Sequence, residues 1–64
     1  MTIQEIKNAV DAGLRVKWAN NGYDVVKDSF GQYLIVFRPN GSTIGLTNRA
    51  GDKLNGAAYQ FYIA

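Results

Sequence analysis

Residues 14–47, which decide the fold, read LRVKWANNGYDVVKDSFGQYLIVFRPNGSTIGLT. Apolar and polar residues alternate along residues 14–18, which is the period of a half-buried strand. Residues 32–38 carry apolar side chains on both faces of the strand, as a central strand does. Turn residues separate these segments, and the strongest short hairpin signal, Asn-Gly, stands at positions 21–22 and 40–41. The stretch therefore predicts an antiparallel meander.

The turns also predict which residues face one another on neighbouring strands. Residues 19–22 form the first loop, a three-residue loop places Gly31 at a bulge, and Asn40-Gly41 closes the third hairpin. This register pairs like with like and includes one pair of opposite charge, as stable sheets do. The predicted pairs are Trp18 with Tyr23, Lys17 with Asp24, Val16 with Val25, Val25 with Ile35, Val26 with Leu34, Lys27 with Tyr33, Tyr23 with Phe37, Phe37 with Ile44 and Ile35 with Leu46.

The residues before this stretch predict one helix over residues 2–13. Thr2 and Glu5 have the spacing of a capping box, and Gly13 is a typical residue just past a helix end. An apolar stripe recurs at helical spacing, formed by Ile3, Ile6 and Val10. A helix of about three turns is unstable alone, so its stripe must pack on the sheet.

Together these elements predict an α+β fold in a single domain over residues 1–64. The N-terminal helix packs on a four- to five-stranded antiparallel β-meander, with residues 59–63 as the last candidate strand. A small SH3-like half-barrel is the alternative if the sheet coils around the helix. A chain of 64 residues has room for only one small core.

Composition excludes several classes of function. The chain has no Cys and no His, which removes structural zinc sites and both Ser-His-Asp and Cys-His catalysis. We expect no enzyme, cofactor or metal. The apolar run at residues 33–37 is far too short to cross a membrane, and the N-terminus does not resemble a signal peptide. We therefore expect a cytoplasmic protein.

The register divides the side chains between two faces of the sheet. The core face, which the helix should cover, carries Leu14, Val16, Trp18, Tyr23, Val25, Tyr33, Ile35, Phe37, Ile44 and Leu46. The second face has an apolar centre of Val26, Leu34 and Val36 inside a rim that includes Arg15, Lys17 and Arg38. An apolar centre within a polar rim is typical of a protein interface. The alternatives are that residues 57–64 fold over this face, or that the aliphatic side chains simply stand in water.

Other motifs favour structural roles. Asp24 and Asp28 lie on one strand face beside basic residues, which indicates a solvated charge ladder rather than an acid–base pair. The aromatic residues are expected mainly in the core, because a small core needs large rings. The basic residues of the second face leave weak nucleic-acid binding as an alternative function, although the net charge is only +2.

The chain also resembles a group of phage proteins. The residues that carry the likeness are 16–25 (VKWANNGYDV), 31–35 (GQYLI), 40–47 (NGSTIGLT), 54–56 (LNG) and 61–62 (FY). They are similar to small uncharacterised proteins of tailed bacteriophages and prophages, to which no activity is attached. The resemblance implies expression in a bacterial cytoplasm and, by analogy, contact with a host protein. The expected function is a non-enzymatic binding module that contacts a protein partner, or itself, through Arg15, Lys17, Val26, Leu34, Val36 and Arg38.

Overall fold

One helix precedes a five-stranded antiparallel sheet in the computed structural model, which describes residues 1–64. The elements are α1 Ile3–Asp11, β1 Val16–Trp18, β2 Asn20–Lys27, β3 Tyr33–Phe37, β4 Ser42–Gly45 and β5 Phe61–Ile63, with a 3-10 turn, Ala58–Gln60, directly before β5. The predicted α+β fold, a helix packed on an antiparallel sheet, is confirmed.

The last strand leaves the meander. β1 to β4 follow one another across the sheet, but β5 pairs with β1, so the order is β4-β3-β2-β1-β5. β5 is antiparallel to β1 and places Phe61 opposite Trp18 and Tyr62 opposite Lys17. The edge strands β4 and β5 do not pair with each other, so the sheet stays open.

The core lies between α1 and the core face of the sheet. Ile6 and Ala9, three residues apart on the helix, are its two buried helical residues. They pack with buried sheet and loop residues, namely Val16, Val25, Ile35, Leu46 and Phe61. The capping box starts the helix as predicted: the Glu5 N–H donates to Thr2 Oγ1 and the Thr2 N–H donates to Glu5 Oε1.

The register of β2 with β3 is confirmed, and that of β3 with β4 is wrong by two residues. Phe37 faces Ser42 and Ile35 faces Ile44, so residues 38–41 form a four-residue loop. A two-residue loop would need the Pro39 backbone to donate a hydrogen bond, which proline cannot do. Instead the Gly41 N–H, at a φ of +73°, donates to the Phe37 carbonyl at 2.8 Å.

The first hairpin keeps the predicted Lys17–Asp24 pair but departs from the register beyond it. Trp18 faces Asn20, and Ala19 takes a φ of +63° in a bulge. Because β1 is an inner strand with β5 beside it, the Ala19 N–H donates to the Gln60 carbonyl, directly before β5. Leu14 was predicted on the core face, but β1 starts only at Val16 and Leu14 is 49% exposed.

Candidate functional site

The apolar centre of the second face forms one contiguous patch. Val26 lies directly opposite Leu34 on the β2–β3 ladder, and Val36 is two residues further along β3, on the same face. All three side chains are half-buried. The structure therefore brings together the three aliphatic residues that the sequence predicted at one site.

No second layer covers this patch. α1 packs on the core face, where Leu54 joins the core cluster and Gly56 lies against the Trp18 indole. The C-terminal residues do not fold over the second face, because β5 continues the sheet beyond β1 instead. From that segment, Tyr62 stands on the second face, beside its partner Lys17.

A buried ion pair lies next to the patch. Lys17 and Asp24 face each other across β1 and β2 and are only 6% and 7% exposed. Lys17 Nζ lies 2.5 Å from Asp24 Oδ1, and it also donates to the Asn21 carbonyl at 3.3 Å. Arg38 Nε donates to the other carboxylate oxygen, Oδ2, at 2.6 Å. Hydrogen bonds from Lys17 and then Arg38 lower the pKa of Asp24 below its ordinary value, so its carboxylate is held as the anion.

These contacts correct the expected charge ladder. Asp24 is buried rather than solvated, while Asp28 accepts the Phe30 and Gln32 N–H groups and shapes the β2–β3 turn. The three basic residues of the predicted site therefore differ in burial and in ion pairing. Lys17 is an internal cation, the Arg38 side chain is 58% exposed, and Arg15 is exposed with no ion pair.

No family model, curated protein or solved structure matches this chain. Its residues therefore carry the functional argument.

An aromatic groove on the core face was missed by the sequence reasoning. Trp18 and Tyr23 pack against the core cluster as predicted but stay half-buried, and Phe37, also half-buried, lies outside that cluster. Their rings follow one another, with centroids 4.8 Å apart for Trp18 and Tyr23 and 4.6 Å apart for Tyr23 and Phe37. With the half-exposed Ile44 they line an open cavity of about 390 Å³.

The length of the helix could have indicated this groove. Nine residues of α-helix are about 13 Å long, whereas five strands spread over about 19 Å. α1 lies across β1 and β2, so the far end of the core face stays open near β3 and β4. A helix this short cannot cover every ring on that face.

No group of three or more Asp or Glu side chains is placed to hold a metal ion. No helix combines the length and the apolar character that a membrane crossing requires.

Proposed function

We propose that this chain is a small non-enzymatic binding module that contacts a protein partner, or a second copy of itself, through the second face of its sheet. The observation that supports this most is the uncovered patch of Val26, Leu34 and Val36 beside charged groups. A sheet face without a second layer, with aliphatic side chains at its centre, has the composition of an interface.

The basic residues beside the patch favour a partner that carries a carboxylate. Arg38 uses Nε to hold Asp24, while its two terminal NH₂ groups have no acceptor within the chain. A guanidinium held in this way presents a pre-oriented fork to a carboxylate. Arg15 adds a second accessible cation to the rim. We therefore expect the partner to combine an apolar contact for the patch with a carboxylate for Arg38.

The size of the molecule sets how much surface the partner must cover. A stable interface buries about 800 Å² on each side, which is about a fifth of the 4134 Å² accessible surface here. The contact must therefore extend beyond the patch. Leu14 shares a shallow cavity of about 130 Å³ with Arg15, Val26 and Arg38, and Tyr62 is 38% exposed at the β5 end of the same face.

The likeness to small phage and prophage proteins belongs to the same proposal, with a host protein of the bacterial cytoplasm as the expected partner. Weak nucleic-acid binding through this face has less support. Two of its three basic residues, Lys17 and Arg38, already share the Asp24 carboxylate. A mobility assay at two salt concentrations separates the two functions, because nucleic-acid affinity falls steeply with salt.

The proposal is tested with Leu34→Asp and a matched control, Ile44→Asp. Both changes place a carboxylate on a half-buried or exposed aliphatic position, but Ile44 lies on the core face. Sedimentation of the wild type measures self-association, and affinity capture from bacterial lysate followed by binding to the purified candidate measures a partner. We expect association to survive Ile44→Asp and to be lost in Leu34→Asp.

Folding of each variant is checked by its amide NMR spectrum. If a folded Leu34→Asp associates as well as the wild type, the second face is not the interface. If only Ile44→Asp abolishes association, the aromatic groove is the binding surface instead. The absence of both self-association and any partner that binds directly would also overturn the proposal.

A further inference from the structure

The carboxylates of this chain are all engaged within the fold. Each of the five accepts at least one hydrogen bond or ion pair from the chain itself. These contacts are Glu5 with the Thr2 N–H, Asp11 with the Tyr33 hydroxyl, Asp24 with Lys17 and Arg38, Asp28 with the Phe30 and Gln32 N–H groups, and Asp52 with the Asn48 side-chain amide.

The basic side chains are not neutralised to the same degree. Of the seven, only Lys17, Lys27 and Arg38 form ion pairs. The other four form no ion pair within 4.0 Å: Lys7, Arg15, Arg49 and Lys53. The excess positive charge is therefore carried by side chains that are free to bind an external anion.

Two of these free cations meet at the largest cavity of the molecule, which has a volume of about 490 Å³. Lys7 enters it from α1, Gln32 from the β2–β3 turn, and Arg49 from the loop after β4. The volume lies in the range of small-molecule sites. No carboxylate lines the cavity.

The donors at this cavity are unused. Arg49 and the side-chain amide of Gln32 make no hydrogen bond within the chain, and Lys7 Nζ contacts only the face of the Tyr33 ring, 5.2 Å from its centroid. Asp11, one helical turn after Lys7, is already engaged: it accepts from the Tyr33 hydroxyl at 2.7 Å and lies 3.5 Å from Lys27 Nζ.

We propose that this cavity binds the phosphate group of a small molecule, with Lys7 and Arg49 as its charged ligands and Gln32 as a neutral donor. A phosphate carries up to two negative charges and several acceptor oxygens, which suits a guanidinium fork opposed by an ammonium. The half-buried Leu34 side chain offers an apolar wall to the rest of the ligand. The cavity shares Leu34 with the proposed partner contact, but Lys7, Gln32 and Arg49 lie outside that contact, so their substitution tests this site separately.

The test is an amide NMR titration of the full chain with pyrophosphate and, separately, with a nucleoside triphosphate, at constant ionic strength. We expect saturable shifts centred on residues 32 and 47–49. Arg49→Gln and Lys7→Gln should each weaken binding about tenfold or more, since each removes a charged hydrogen bond. Arg15→Gln is the matched control, because it removes an unpaired, exposed cation outside the cavity.

The two ligands distinguish the source of the phosphate. Tighter binding of the triphosphate assigns the site to nucleotides, and equal binding assigns it to inorganic or terminal phosphate; both support the proposal. Shifts that do not saturate, an equal loss in Arg15→Gln, or binding of a DNA oligonucleotide alone would overturn it. Arg49 is exposed, so its variant stays informative even if Lys7→Gln unfolds.

Discussion

Removal of the Asp24 charge should cost this domain much of its stability. Asp24→Asn preserves the size of the side chain but leaves Lys17, 6% exposed, as a buried cation without a counter-charge. Breaking a buried pair by removing one partner costs about 3–5 kcal/mol. A domain of this length has a free energy of unfolding of about 3–10 kcal/mol. The variant should therefore be marginally folded or unfolded at room temperature.

Urea unfolding followed by the fluorescence of Trp18, the single tryptophan, measures the effect. With a slope of about 1 kcal/mol/M for a small domain, a loss of about 3–5 kcal/mol lowers the midpoint by about 3–5 M. Asp52→Asn is the control, because Asp52 is exposed and its substitution should change the free energy of unfolding by about 0.5 kcal/mol or less. The double variant Lys17→Met with Asp24→Leu should recover the loss, since replacing both charges with apolar groups is often neutral or stabilising.

The pH dependence gives an independent check with a defined sign. The folded pKa of Asp24 is below its ordinary value of 3.8, so the unfolded chain binds the proton more readily. The stability that the Asp24 carboxylate contributes is present above its unfolded pKa and is lost as pH falls through its folded pKa. Asp24→Asn should remove this part of the acid sensitivity. A loss of less than about 1 kcal/mol in Asp24→Asn, or a double variant no more stable than Asp24→Asn, would show that the pair behaves as a surface pair.

Two further predictions concern other contacts. A Cβ added at Gly56 would lie 2.4 Å from Trp18 Nε1, so Gly56→Ala should lower the free energy of unfolding in urea by about 1–3 kcal/mol. Gly13→Ala should cost less, because only a φ of +81° opposes the methyl group there. Equal losses in the two variants would contradict the close packing at Gly56. The hydrogen bond to Asp11, together with burial, raises the pKa of Tyr33, so Asp11→Asn should return the pKa measured by ring-carbon NMR toward 10.0. The stability that Tyr33 contributes should be present below its unfolded pKa and lost as pH rises through its folded pKa, and an unchanged pKa in Asp11→Asn would refute the assignment.

Sequence reasoning succeeded where local chemistry sets the geometry. The Thr2–Glu5 capping box and the bulge at Gly31 determine their surroundings within a few residues, and the β2–β3 register follows from that loop. The same reasoning failed at Asn40-Gly41, because Pro39 cannot supply the hydrogen bond that a two-residue turn needs. The absence of an N–H at Pro39 can be read from the sequence, and it excludes the two-residue loop.

Non-local pairing was harder to predict. The bulge at Ala19 depends on β5 lying beside β1, more than forty residues along the chain. The burial of Lys17 and Asp24 depends on the same placement, since Tyr62 stands beside Lys17 on the second face. Alternation identified the face of each residue correctly for Val26, Leu34 and Val36, but it carries no information on which elements cover a face.

The buried pair also bears on the proposed contact between the second face and a partner. An apolar partner that covers an exposed charge must remove its water, which opposes association. Lys17 and Asp24 have already lost most of their water on folding, and each is paired, so a partner that covers them meets little further penalty. The remaining cost falls on Arg38 and Arg15, whose free donors a partner carboxylate can satisfy. The pair therefore leaves the centre of the face without an unpaired charge that would oppose the proposed contact.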